Sequence, residues 1–129
     1  MKRDMDIVRD LLIRIEGIDR PDGAPALLTI TPANLGLSDA APGAIAYHLL
    51  LLVDAGFLKP TSLKGVEFIG VAGLTWKGHD FLDSIRDPEI WRQTKEGATK
   101  AGGFTVELLA DLAKGLLKTQ IEKYTGIKL

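Results

Sequence analysis

The run from Tyr47 to Leu58, YHLLLLVDAGFL, constrains this chain more than any other stretch. Ile45, Leu49 and Leu52 recur at helical spacing, and Leu50, Leu51 and Val53 fill the remaining faces. The spacing predicts a central helix that is apolar nearly all round. Ala55-Gly56 then supplies a left-handed stop, where a residue without Cβ is favoured. Phe57 and Leu58 continue apolar beyond the glycine and run into Pro60, so the chain passes directly from helix to strand.

Size and charge set the outer bounds. A chain of 129 residues, 46% hydrophobic, can bury one sizeable core. Sixteen basic and seventeen acidic side chains leave a net charge of -1, which favours neither nucleic acid nor membrane as a bulk partner. Cysteine is absent, which excludes disulfide scaffolds, thiol nucleophiles and thiolate zinc sites. Charges at Lys2, Arg3, Asp4, Asp6, Arg9, Asp10 and Arg14 interrupt any secretory leader at the start. No apolar run is long enough to span a bilayer, and the expectation is a soluble cytoplasmic protein.

Taken in order, Met5, Val8, Leu11, Leu12 and Ile15 mark an amphipathic helix from about Asp4 to Glu16, ended by Gly17. A Pro/Gly loop follows, then a strand at Leu27 to Ile30 and a short helical turn at Pro32 to Leu35. Ser38 or Asp39 is expected to cap the central helix. Thr61 to Gly73 alternates and is broken by glycines, which reads as a hairpin or wing turning near Lys64-Gly65. Thr75 should cap a helix whose inner face is Gly78, Phe81, Leu82 and Ile85. Asp87-Pro88 opens the next, with Ile90 and Trp91 docking its start, and Gly102-Gly103 closes it. Thr105 caps a last helix to about Tyr124. The expected fold is mainly α with a small β wing, α+β: a winged helix-turn-helix core over residues 1–86, followed by extra C-terminal helices over 87–129 that pack on it or mediate dimerisation.

With those elements in place, MKRDMDIVRDLLIRIE, YHLLLLVDAGFL and LTWKGHDFLDSIRDPEIWRQTK together resemble an uncharacterised family of bacterial and phage proteins, domain of unknown function 2513. The resemblance runs from Met1 to Lys95, LTWKGHDFLDSIR being its most specific part. It implies a winged-helix fold and an occurrence among phage and prophage genes, and it brings no activity. Two departures are the Pro-rich loop at Pro21 to Pro25 and the opening of the central helix on Ala40, Ala41 and Pro42.

A winged helix invites a DNA-binding reading, which the residues only weakly support. From Ile45 to Leu58 there is no lysine or arginine, and the polar side chains besides Asp54 are Tyr47 and His48. The wing adds Lys59 and Lys64 against Glu67, whereas useful affinity rests on something like ~6 to 10 phosphate contacts. Tyr47, His48, Lys59 and Lys64 are therefore the candidate DNA contacts of the alternative reading. Lys114, Lys118, Lys123 and Lys128 against Glu122 form a late basic cluster that also reads as a solvated helix face.

Catalysis has less support. His79 and Asp83 have the spacing of a metal pair, but no third ligand or HExxH-like element accompanies them, and a local hydrogen bond is the expected role of His79. His48 reads as a half-buried core residue, and Ser84 lies off the face of His79. Trp76 and Trp91 read as core or docking anchors, and Gly65, Gly70 and Gly73 as turn and bulge glycines. No catalytic residue, cofactor or metal site is expected. What exceeds the need of one small domain is apolar surface, and the last helix in particular carries Leu108, Leu112, Leu116 and Ile121 as a candidate dimer interface. The sequence thus ranks a non-enzymatic, self-associating or partner-binding winged-helix module first, with a homodimer or protein partner, and a DNA-binding transcriptional regulator second.

Overall fold

A computed structural model describes residues 2–18, 28–30, 35–37, 41–64 and 69–129. Its elements are α1 (Met5–Glu16), β1 (Leu28–Ile30), α2 (Pro42–Asp54), β2 (Leu58–Lys64), β3 (Ile69–Leu74), α3 (Trp76–Ile85), α4 (Pro88–Ala101) and α5 (Val106–Thr125). The described residues are mainly helical with one small antiparallel sheet, an α+β arrangement. The chain divides into two compact units, Met1–His79 and Asp80–Leu129, with the division inside α3. The boundary expected from sequence, after residue 86, corresponds to the α3–α4 junction.

In the first unit, Asp4 caps α1 by accepting hydrogen bonds from the backbone N–H groups of Asp6 and Ile7 at 2.9 and 3.4 Å. The helix buries Met5, Val8, Leu11, Leu12 and Ile15, the stripe its periodicity predicts. Arg14 pairs with Asp10 at 2.9 Å and donates to the Leu35 carbonyl at 2.8 Å, tying α1 to the turn at Leu35–Gly36. The expected helical turn lies mostly at residues 31–34, outside the described residues, as do Ser38 and Asp39. The N-cap of α2 is Ala41, which offers no side-chain hydrogen bond, and Pro42 takes the first helical position, where its missing N–H costs nothing.

The end of α2 follows the sequence closely. Gly56 adopts φ 81°, its N–H donates to Val53 O at 3.0 Å, and Phe57 N–H donates to Leu52 O at 2.9 Å, the paired bonds of a Schellman stop. β2 begins at once, at Leu58, the direct passage from helix to strand that the sequence predicts. The sheet order is β1-β3-β2, with both pairings antiparallel. Pro60 therefore sits on an edge strand, the place in a sheet where a residue without N–H is tolerated. The register slips between Lys59 and Pro60, which face Gly73 and Val71, and Gly73 carries φ 120° at that irregularity.

The start of α3 is clamped to the α2–β2 junction. Thr75 N–H donates to Phe57 O at 3.0 Å, its hydroxyl donates to Gly56 O at 2.5 Å, and the same oxygen accepts from Gly78 N–H at 3.0 Å. Lys77 donates to Ala55 O at 3.3 Å and lies 5.4 Å from the centre of the Phe57 ring, setting a cation at the negative end of α2. Gly78 is buried where a Cβ would stand 2.2 Å from Phe57 O. The LTWKG segment is thus a joint: cap, cation and close approach occupy Thr75, Lys77 and Gly78. Trp76 is 89% exposed, which excludes the first of the two roles read for it, core or docking anchor.

In the second unit α4 and α5 pack against each other. Asp87 caps α4 through Ile90 N–H at 2.9 Å with Pro88 in the first turn, and Ile90, Trp91, Thr94 and Ala98 are buried. Gly102 at φ 80° ends it, and Thr105 caps α5 through Leu108 N–H at 3.2 Å. Of α5 only Leu109 and Ala113 are buried. On α4, Glu89 receives Arg92 in a fork at 2.6 and 3.0 Å and Gln93 at 3.0 Å. These bonds, those from Arg92 foremost, lower its carboxyl from the ordinary 4.5 to about 2 and raise the Arg92 guanidinium. A depressed carboxyl stabilises the fold above its ordinary value, and that contribution is lost as pH falls from about 4.5 to about 2. Carbon-detected NMR titration of the Glu89 carboxyl is expected to give a midpoint clearly below that of an unpaired glutamate; a midpoint of about 4 or above refutes the fork in solution.

Candidate functional site

Under the winged-helix expectation, the outward side of α2 is the surface that would face DNA. In this chain Leu50 is 53% exposed, Gly43 and Asp54 are exposed, and Ala46, Tyr47 and Val53 are partly so. The helix is therefore not covered all round as its composition implies: one side is open, and that side is apolar, with Asp54 its only charge. Tyr47 stands edge-on to His48, ring centroids 5.4 Å apart.

His48 is removed from the candidate DNA contacts. It is 1% exposed, its Nδ1 lies 2.7 Å from Ala44 O, and its Nε2 accepts from Asp4 N–H at 2.8 Å. An accepting Nε2 requires the proton on Nδ1, so this is a neutral ring with both nitrogens occupied, pinning the start of α1 to α2. No nitrogen remains for a base edge, a phosphate or proton transfer. Lys59 is exposed on β2, and Lys64 is the last residue of that strand. Glu67 and the turn expected near Gly65 lie outside the described residues.

His79 does not bond locally. Its Nδ1 reaches the Glu16 carboxylate on α1 at 3.2 Å, across 63 positions of sequence. Asp83, the other half of the candidate metal pair, accepts from Arg86 at 2.8 Å instead. Among the described residues no group of three or more potential ligands is placed to hold a metal. Ser84 is buried and donates to Phe81 O at 2.6 Å. Glu16 and His79 do line a pocket of about 310 Å³ with Lys59, Ile18, Gly73 and Leu74, a grouping that no local sequence pattern announces.

The candidate dimer face on α5 divides in two. Leu108 and Leu112 are 46% and 38% exposed, yet each leans on a glycine: Leu108 Cδ1 lies 3.5 Å from where a Gly103 Cβ would be, and a Leu112 methyl 3.6 Å from that of Gly97. Leu112 also lines a groove of about 480 Å³ between α4 and α5, together with Gly115 and Leu116. Ile121, 45% exposed, is nine residues from Leu112, and at 100° per residue this is roughly 180° round the helix. Leu112 and Ile121, both in the candidate dimer interface, thus lie on opposite sides of α5. Lys114 is partly answered by Asp80 at 3.4 Å, while Lys118, Lys123 and Lys128 are exposed.

An α+β chain with these joints belongs to the family described as hypothetical protein (DUF2513), which it matches over residues 2–104. A protein of Haemophilus influenzae described as uncharacterized is 26% identical over 125 residues, covering 95% of this chain and 98% of the relative. No solved structure matches. Among the described residues, no helix is long and apolar enough to cross a membrane.

Proposed function

We propose that this is a non-enzymatic winged-helix module that docks protein, a second copy of itself included, rather than reading DNA. The winged-helix assignment draws support from α2 handing directly into the β2–β3 hairpin and from β1 pairing on the far side of β3. One observation carries the docking reading: the open face of α2 presents Ala46, Tyr47, Leu50 and Val53, and the helix has no lysine or arginine. A phosphate backbone needs cations opposite it, whereas an exposed apolar helix face is suited to another protein. A phage or prophage setting, implied by the resemblance read in the sequence, is part of the same proposal. The alternative, a DNA-binding regulator, is favoured by Lys59 and Lys64 on the hairpin strand and by the exposed late lysines.

Light scattering and mobility shift on one preparation separate these readings. At micromolar concentration the intact protein is expected to run as a dimer, and Leu50→Glu as a folded monomer. Duplex binding at physiological salt should be no tighter than roughly 10⁻⁴ to 10⁻⁶ M. A monomeric intact protein removes self-association, and nanomolar, sequence-selective binding promotes the regulator.

A further inference from the structure

We propose that the Met1–His79 unit holds a small phosphate, inorganic or a monoester, in the pocket formed by Glu16, Lys59 and His79. The proposal does not depend on the docking reading, since these residues stand apart from the open α2 side chains that carry it. Three elements converge there: α1 brings Glu16 at its last residue, β2 brings Lys59, and α3 brings His79 in its first turn. β3 adds Gly73 and Leu74 to the lining, beside the register slip. At about 310 Å³ the pocket is at the small end of ligand sites, and its walls are chiefly polar, which suits a compact charged group better than an apolar one.

The side chains define what kind of anion fits. Lys59 makes no ion pair among the described residues, so its ammonium is available as a point charge for an oxyanion. Glu16 occupies His79 Nδ1, which fixes the ring and leaves Nε2 without a partner among the described residues. A neutral imidazole protonated on Nδ1 presents Nε2 as an acceptor, and an imidazolium presents it as a donor. Hydrogen phosphate carries both a hydroxyl and bare oxygens, so it can satisfy Nε2 in either state while another oxygen meets Lys59. A carboxylate can only accept, and it serves only the charged ring. The Glu16 carboxylate at the same rim disfavours a second full negative charge close by, which favours the monoanion, dihydrogen phosphate or a singly protonated monoester, and either keeps a hydroxyl beside bare oxygens.

The test follows the His79 ring resonances of the intact protein by NMR, with inorganic phosphate and, separately, acetate added at constant ionic strength and pH. Phosphate is expected to give a saturable shift, and acetate no saturable shift over the same range. Lys59→Met, at an exposed strand position, should keep the parent's spectral dispersion and raise the half-saturating phosphate concentration about tenfold or more, as loss of a charged hydrogen-bond partner does. His79→Gln, read by the phosphate-induced rise in Tm, should lose that rise. Shifts that grow linearly, a Lys59→Met curve that superimposes on the parent's, an acetate response equal to that of phosphate, or an undiminished Tm rise in His79→Gln each overturn the proposal.

Discussion

Gly78→Ala is expected to destabilise the protein by about 1 to 3 kcal/mol, although the same change in most helices stabilises. Removing a glycine from a helix ordinarily gains roughly 0.5 to 1 kcal/mol, because alanine loses less backbone entropy on folding. Here the new Cβ would lie 2.2 Å from the Phe57 carbonyl oxygen. That oxygen cannot retreat freely, since it accepts Thr75 N–H at 3.0 Å while Phe57 N–H is spent on Leu52 O. Relief therefore means moving α3 away from the α2–β2 junction and loosening the Thr75 and Lys77 bonds with it. Gly115, in the interior of α5, has nothing within 4 Å of its would-be Cβ. Gly115→Ala should accordingly raise stability by roughly 0.5 to 1 kcal/mol. Urea melts of the two variants, made side by side, are expected to move in opposite directions. Two shifts of the same sign would mean that the α3 joint is not closed in solution.

The parts of the fold legible in the sequence are those decided within one turn of helix. The α1 stripe, the Gly56 stop, the Asp87-Pro88 start and the Thr105 cap each follow from residues at most four apart, and the structure has all of them. Trp76 shows where that locality fails. Its aromatic character favours burial, but Gly78 must face Phe57, and two residues round a helix is roughly 200°, so Trp76 is turned outward. Ala41 takes the cap of α2 with no side chain able to serve, which propensity does not anticipate.

The candidate sites were less legible because their bonds are long-range. His48 looks available for a base or a phosphate until Asp4, 44 residues earlier, takes its Nε2. His79 reads as a local capping histidine until α1 brings Glu16 beside it. Neither pairing leaves a trace in spacing, since each is made by the packing of separate elements. The separation of Ile121 from Leu112, by contrast, was available from helical geometry alone. Grouping Leu108, Leu112, Leu116 and Ile121 as one interface overlooked it, and two glycines already seat Leu108 and Leu112.

Within α2, two leucines one position apart from adjacency are expected to behave oppositely. Leu52 is 2% exposed and Leu50 53%. Leu52→Ala removes a side chain from the buried core at the turn where its own carbonyl receives Phe57 N–H. The loss of burial plus the cavity should cost about 2 to 5 kcal/mol, enough to leave the domain partly unfolded if its total stability lies at the low end for its size. Leu50→Ala, on the open face, should change stability by less than about 0.5 kcal/mol. Leu50→Glu tests the proposed docking directly, because it places a charge on the apolar surface without touching the core. The expected pattern is a large fall in unfolding free energy for Leu52→Ala, and a normal melt with loss of association for Leu50→Glu. If Leu52→Ala melts with the parent, α2 is not packed as described. If Leu50→Glu unfolds the domain, that face is part of the core and not a surface for a partner.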